Sequence, residues 1–177
     1  MRKPLLLIAT LLLSSCSTST PVVSAGEVIS CKEISRDVAS TQGAYVECLD
    51  GSEGVNLGAL RGPMIINVWG SWCAPCLDEI PEFRSFYAKA QGKIALIGVD
   101  VEEANPEDGR AFVIAQGITW PNFYDRENKS RGYFGMGVPV TWFIGEDGKV
   151  LYKKIGVISS EAELIDLTHK YLGVHIS

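Results

Sequence analysis

The chain has 177 residues, enough for one domain with a core of its own and little more. Its 46% apolar and 21% charged residues are the proportions of a globular protein and not of a disordered one. A net charge of −5 without a clustered basic run excludes a nucleic-acid partner, whose phosphates need a concentrated basic face.

The chain opens on a targeting segment. Arg2 and Lys3 make a positive start, and Leu5 to Leu13 make an apolar run of nine residues, against about 20 for a membrane-spanning helix. The run ends in Leu13-Ser14-Ser15-Cys16, which resembles a bacterial lipobox: a branched apolar residue, two small ones, then the cysteine that carries lipid and becomes the new N-terminus. An ordinary cleaved signal peptide with a chance cysteine is the alternative. On the lipobox reading, residues 1–15 are a signal peptide, 16–27 are the lipidated Cys16 and a flexible tether, and 28–177 are the folded domain. Several acyl chains would hold that domain on the extracytoplasmic side of a bacterial cell membrane.

Ala44 to Leu49 predicts a short strand, closed by Asp50-Gly51-Ser52. Met64 to Trp69 is a nearly continuous apolar run, expected of a central strand covered on both faces. Leu77, Ile80, Phe83 and Tyr87 then recur at helical spacing, with Pro81 as a kink and Gly92 as the stop. Lys93 to Val101 predicts a second buried strand. Asn105 as cap, Pro106 in the first helical position and the acids Glu107 and Asp108 open a second helix, which Gly117 ends. Val140 to Ile144 and Val150 to Ile155 flank Gly145-Glu146-Asp147-Gly148 and predict a hairpin. Ser160 and Glu163 predict a capping box on a last helix. An N-terminal strand region, β-α-β-α, a hairpin and a helix make an α/β chain whose parallel half precedes an antiparallel half. That order resembles the thioredoxin-like fold: a central mixed sheet with flanking helices, here with an extra N-terminal strand region.

The cysteines carry the chemistry. Cys73 and Cys76 form a CxxC pair where a buried strand gives way to a helix. Free N–H groups and the positive end of the helix dipole stabilise a thiolate there, so Cys73 is read as the nucleophile. Cys76, one turn on, is the resolving thiol, and the two form a redox-active disulfide. Zinc, the other use of such a pair, wants four ligands; there is no second pair, and His169 and His175 lie at the far C-terminal end. No metal and no cofactor are expected. Cys31 and Cys48 remain as an even remainder in an exported chain and predict a structural disulfide, with two unpaired buried thiols as the alternative.

The segment Asn67-Val68-Trp69-Gly70-Ser71-Trp72-Cys73-Ala74-Pro75-Cys76 resembles the active-site stretch of the membrane-anchored thioredoxin-like oxidoreductases of the TlpA/ResA/CcmG (DsbE-like) family. Val55 to Gly62 before it, and Gly137-Val138-Pro139-Val140-Thr141-Trp142-Phe143-Ile144 with Asp147-Gly148 after it, also match. The resemblance implies a cis-proline at Pro139 facing the pair, with Val138 and Trp72 beside it on the substrate side. It implies that Glu79 holds a half-buried carboxyl near the thiols, with a raised pKa, and moves protons during exchange. A solvated helix glutamate is the alternative, and Asp78 is read as solvated. Asn67 stands where thioredoxin itself carries a buried acid, so that proton route is expected to be missing. Trp69 is read as core. The Gly70-Ser71 dipeptide departs from the commoner Ala-Thr or Ala-Ser, and the Cys31/Cys48 pair is not a general feature of the family.

The resemblance further implies protein disulfide or dithiol substrates, apocytochrome c CxxCH thiols in cytochrome c maturation among them. It implies recharging by a transmembrane electron carrier of the CcdA/DsbD type. Direction stays open, because the same steps run backwards donate disulfides to exported proteins. Two rival classes share the fold. A thiol peroxidase would carry Thr where Gly70 stands, and a copper-delivery lipoprotein would space its cysteines one residue wider and add a histidine.

Overall fold

A computed structural model describes residues 24–135 and 137–176, Phe134 by its backbone alone. Its frame is the apolar run Met64–Trp69, here β3, in which all six residues are buried. Alternation along the strand divides them between two cores. Ile65 and Trp69 join one core with Ile80, Phe83 and Phe86 of α1 (Ala74–Ala90), Phe112 of α2 (Pro106–Ala115) and Leu164 of a terminal helix, Glu161–Leu172. Met64, Ile66 and Val68 join the other, which the N-terminal segment covers with Cys31, Ile34, Leu57 and Leu60. The three longer helices therefore share one face of the sheet, and the region expected as an extra strand does the work of a covering layer on the other.

β3 pairs in parallel with β4 (Ala95–Val101), from Met64 opposite Ala95 to Trp69 opposite Asp100. On its other side β3 pairs antiparallel with β6 (Val140–Ile144), which forms the expected hairpin with β7 (Val150–Ile155). β4 also runs parallel to β5 (Asn122–Asp125). β5 pairs antiparallel with β1 (Tyr45–Cys48), and β1 with β2 (Val55–Asn56). Among the described residues the order is β2-β1-β5-β4-β3-β6-β7, a mixed sheet of the thioredoxin-like α/β fold.

Several expectations need correction. α2 does not lead directly to the hairpin, because β5 and the short helix α3 (Arg131–Phe134) intervene, which makes the terminal helix α4. All four residues of β5 are buried although two are polar. They are buried with partners: Asn122 Oδ1 accepts from Trp69 Nε1 at 3.2 Å, and the Asp125 carboxylate accepts from the N–H groups of Lys129 and Ser130 at 2.9 and 2.6 Å. The tether expected over 16–27 also ends sooner. The N–H groups of Gly26 and Glu27 donate to the carbonyls of Ile114 and Ile118 at 2.8 and 2.9 Å, so the folded body includes both. A Cβ at Gly26 would collide with the carbonyl of Val113 and the backbone of Ile118, and glycine alone lets the chain lie this close to the end of α2. Cys16, the leader and the first part of the tether lie outside the described residues.

α1 continues through Pro81 to Ala90, and its end is turned by two left-handed residues, Gln91 at φ 47° and the expected Gly92 at φ 78°. Leu77, expected on its core face, is 41% exposed, and Phe86 is fully buried instead. At α4, Ser160 Oγ accepts from the Glu163 N–H at 3.1 Å as expected. Glu163 does not close the box on Ser160; it reaches one residue further back, to the N–H and hydroxyl of Ser159.

Candidate active site

β3 ends at Trp69 and α1 begins at Ala74, so Gly70 to Cys73 carry the chain from sheet to helix. Cys73 is the cap of α1: its backbone is extended, and its Sγ accepts from the Cys76 N–H at 3.2 Å. Pro75 sits in the first turn, where a missing N–H removes no helical bond. The two sulfurs are joined as a disulfide, with Cα atoms 5.2 Å apart. Cys76 is fully buried and Cys73 is 4% exposed, so attack from outside must come at Cys73. Negative charge on its sulfur, in the reduced pair, faces the first N–H groups of α1 and the positive end of the dipole.

The loop geometry accounts for the Gly70-Ser71 departure. The indole of Trp72 folds back over Gly70, where any Cβ would lie 2.6 Å from the ring nitrogen. The same nitrogen donates to the carbonyl of Val101 at 3.3 Å, while the Ser71 N–H donates to Glu103 Oε1 at 2.5 Å. About half of Trp72 stays exposed. With Val68, Val101, Glu102, Arg131 and Val138 it lines a recess of about 110 Å³. The Val138–Pro139 peptide is cis, and Val138 packs against the cluster that holds both cysteines. The structure thus brings Trp72, the pair and the Val138-Pro139 loop together. Trp69 is core, stacked on Phe112 with ring centroids 4.7 Å apart.

Glu79 lies on α1 one turn beyond Cys76 and is fully buried, not half-buried. Its Oε1 accepts from Asn67 Nδ2 and its Oε2 from the Ile158 N–H, both at 2.8 Å. Burial outweighs these two bonds and pushes the carboxyl up from 4.5 to about 7, with the Glu163 charge adding to the rise. The strand thus carries no acid at position 67, and Asn67 instead fixes one that arrives from the helix. Asn67 Oδ1 has no hydrogen-bond partner among the described residues. Turning the amide over presents that oxygen to a protonated Glu79, so one pair serves both protonation states. The Ile158 end is braced by Glu163, which bonds Ser159 and accepts from Lys154 Nζ at 2.6 Å. Burial pushes Glu163 up, but these partners together outweigh it and hold it down at about 2. Asp78 points to solvent.

Cys31 and Cys48 form a second disulfide, both residues buried and the Cα atoms 5.9 Å apart, which fastens the N-terminal segment to β1. Among the described residues no group of three or more His, Cys, Asp or Glu is placed to hold a metal ion. His169 and His175 pack against one another at the end of α4, ring centroids 4.0 Å apart and planes tilted by 40°. Sequence reasoning passed over Asp100 and Glu103, both buried at the end of β4 behind the cysteine loop. Their signal was present as an acid inside an otherwise apolar strand, Val99-Asp100-Val101.

Over 110 residues the chain is 33% identical to the thiol-disulfide oxidoreductase ResA of Bacillus thuringiensis (strain Al Hakam), which covers 60% of this chain and 63% of that protein. It is 29% identical over 125 residues to the thiol:disulfide interchange protein CycY of Rhizobium leguminosarum bv. viciae, over 67% of this chain and 66% of that protein. It thus spans a little under two thirds of the length of these relatives. The crystal structure of StoA from Bacillus subtilis matches the fold with a TM-score of 0.60 at 25% identity, over 73% of this chain and 98% of StoA. The model of the AhpC/TSA family matches residues 40–153, a span that runs from before β1 through the CxxC loop and the cis-proline into β7. The chain belongs to the AhpC/TSA family.

Proposed function

We propose that the chain is a thiol–disulfide oxidoreductase that reduces disulfides of exported proteins, apocytochrome c CxxCH thiols among them. It works from a lipid anchor at Cys16 on the extracytoplasmic side of a bacterial cell membrane. The observation that carries this reading is the Cys73–Cys76 disulfide at the start of α1 with the Glu79 acid buried one turn behind it. The chemistry of relatives such as ResA, a thiol-disulfide oxidoreductase by name, supports it.

In the reduced pair, the Cys73 thiolate attacks a substrate disulfide, and one substrate sulfur leaves as a thiolate. Cys76 passes its proton to the Glu79 carboxylate and attacks the Cys73 sulfur of the mixed disulfide; the second substrate sulfur leaves. Two electrons move from the pair to the substrate, and the Cys73–Cys76 disulfide is the product. A carboxyl titrating at about 7 is matched to taking and returning that proton near neutrality. Trp72, Val138 and Pro139 offer the surface on which the substrate chain lies. A transmembrane dithiol carrier of the CcdA/DsbD type restores the thiols.

Equilibration with glutathione buffers tests the direction. A Cys73/Cys76 potential below about −200 mV is expected, and a value above it makes the chain a disulfide donor instead. Metabolic labelling with a fatty-acid analogue tests the anchor: the wild type takes the label and Cys16→Ser does not. A labelled Cys16→Ser protein overturns lipidation at that residue.

A further inference from the structure

Behind the Gly70–Cys73 loop lies a second buried acid. Asp100 of β4 is fully buried, opposite Trp69 of β3 and Tyr124 of β5 in the sheet register. Its carboxyl presses against α2 at Gly109, where any Cβ would collide with Oδ2. As a carboxylate, neither of its oxygens has a hydrogen-bond donor among the described residues. The side chain set against it is the Glu103 carboxyl, 7% exposed and an acceptor like itself. Two carboxyls can bond only with a proton between them. Glu103 is committed on its other side: Oε1 accepts from the Ser71 N–H at 2.5 Å, two residues before Cys73. Its carbonyl accepts from the Tyr124 hydroxyl at 3.4 Å, and the carbonyl of Val101 accepts from Trp72 Nε1. The end of β4 therefore grips both residues that precede the nucleophile.

We propose that Asp100 and Glu103 share one proton and together clamp the Ser71-Trp72 segment, which makes them positioning residues for Cys73 whose hold loosens when that proton is lost. The role toward Cys73 rests on the oxidoreductase reading; the shared proton does not. Burial, the Glu103 carboxyl and Asp108 of α2 all push Asp100 up, to about 9. From β5 the site meets Tyr124, which burial raises and Arg126 lowers. Arg110, next to Gly109 on α2, is turned away to the carbonyl of Leu49 and to Glu107. β3 presents Trp69, which does not titrate. Ionising Asp100 therefore sets two carboxylates against each other, and the one that can move is Glu103, the acceptor of Ser71.

The test uses the oxidised protein, in which Cys73 and Cys76 do not titrate. NMR follows the Ser71 amide from about pH 6 to pH 10. A downfield resonance is expected, as for a charge-assisted bond, moving with one titration far above the ordinary carboxylate range. Asp100→Asn, whose amide donates to Glu103 with no proton to lose, abolishes that titration. Glu103→Ala lowers the hydrogen-exchange protection of Ser71 about tenfold or more at neutral pH. A Ser71 resonance indifferent to pH in the wild type, or titrating unchanged in Asp100→Asn, overturns the shared proton. The link to Cys73 is read from the Cys73/Cys76 potential against pH: wild-type and Asp100→Asn curves separate above about pH 8, and coincident curves overturn the positioning role. A protein with a titrating Ser71 amide but no disulfide-exchange activity overturns the oxidoreductase reading and leaves the shared proton standing.

Discussion

Replacing Glu79 with glutamine keeps the shape of the buried side chain and removes its proton. The glutamine oxygen still accepts from the Ile158 N–H, and the glutamine amide finds Asn67 Oδ1, which has no partner among the described residues, once the Asn67 amide turns over. The fold is therefore expected to stand. Because the carboxyl titrates at about 7 against an ordinary 4.5, the folded chain holds a proton between those values that the unfolded chain has released. Stability must then fall as pH rises from 4.5 to about 7, and level off above. One pH unit is worth about 1.4 kcal/mol, so this group alone accounts for about 3 kcal/mol. Asp100 adds a fall of the same sign that continues to about 9, so the quantity to read is the gap between variant and wild type. Urea unfolding of the two oxidised proteins across about pH 4 to 8 should show stabilities that coincide at the acid end. The gap should open to about 3 kcal/mol in favour of Glu79→Gln by neutrality. Parallel curves would refute the argument that burial outweighs the two hydrogen bonds. In the reduced protein, insulin-disulfide reduction at neutral pH should slow about a hundredfold, and an unchanged rate would remove Glu79 from proton transfer.

Three further outcomes follow from named contacts. Replacing Cys31 and Cys48 together with serine should lower the unfolding free energy by about 3 kcal/mol and leave insulin reduction in place; loss of activity in a folded double variant would make the pair more than a staple. Gly70→Ala drives a methyl into the Trp72 indole, so the indole must leave the Val101 carbonyl. A change in Trp72 fluorescence and a cost of about 1–3 kcal/mol are expected, and an unaltered spectrum would contradict the close packing. Glu163, held at about 2, contributes stability above 4.5 that is lost as pH falls toward 2. Glu163→Gln should flatten that acid limb by about 1–2 kcal/mol, the figure allowing for a side chain still 23% exposed, and an unchanged acid limb would show that solvent screens the contact.

The elements legible in the sequence are those in which one local signal suffices: the apolar runs of β3 and β4, the Asn105-Pro106 start of α2, the turn at Gly145 to Gly148. Those that were not legible depend on partners far along the chain. β5 reads as Asn-Phe-Tyr-Asp, and its polar ends can be buried only because the Trp69 indole and the amides of Lys129 and Ser130 come to meet them. Gly92 is left-handed at the helix stop as its residue type suggests, but nothing in the sequence marks Gln91 before it for the same conformation. The pattern also gave no reason for the segment around Cys31 and Leu60 to cover a whole face of the sheet. That cover is made of short apolar pieces without period, tied in by a disulfide.

At the site, the cysteines were legible because a CxxC between a buried strand and a helix is a local pattern with a local physical effect. Of the acids, Glu79 was legible only through the family resemblance and Asp100 and Glu103 not at all, since a carboxylate's behaviour is set by what surrounds it. Glu79 is buried by an amide twelve residues before it and an N–H seventy-nine residues after it. The Gly70-Ser71 departure, which looked like a weakness of the motif, is what the loop requires: the glycine makes room for Trp72, and at Ser71 the backbone N–H, not the hydroxyl, meets Glu103. Two buried acids thus flank the elements that carry the cysteine loop, Glu79 on the helix and Asp100 at the end of the sheet, one raised to about 7 and the other to about 9. At neutral pH the first exchanges its proton readily and the second keeps its own. On the proposed roles the loop has one acid for moving protons and another for holding its shape, and changing pH by about two units addresses them one at a time.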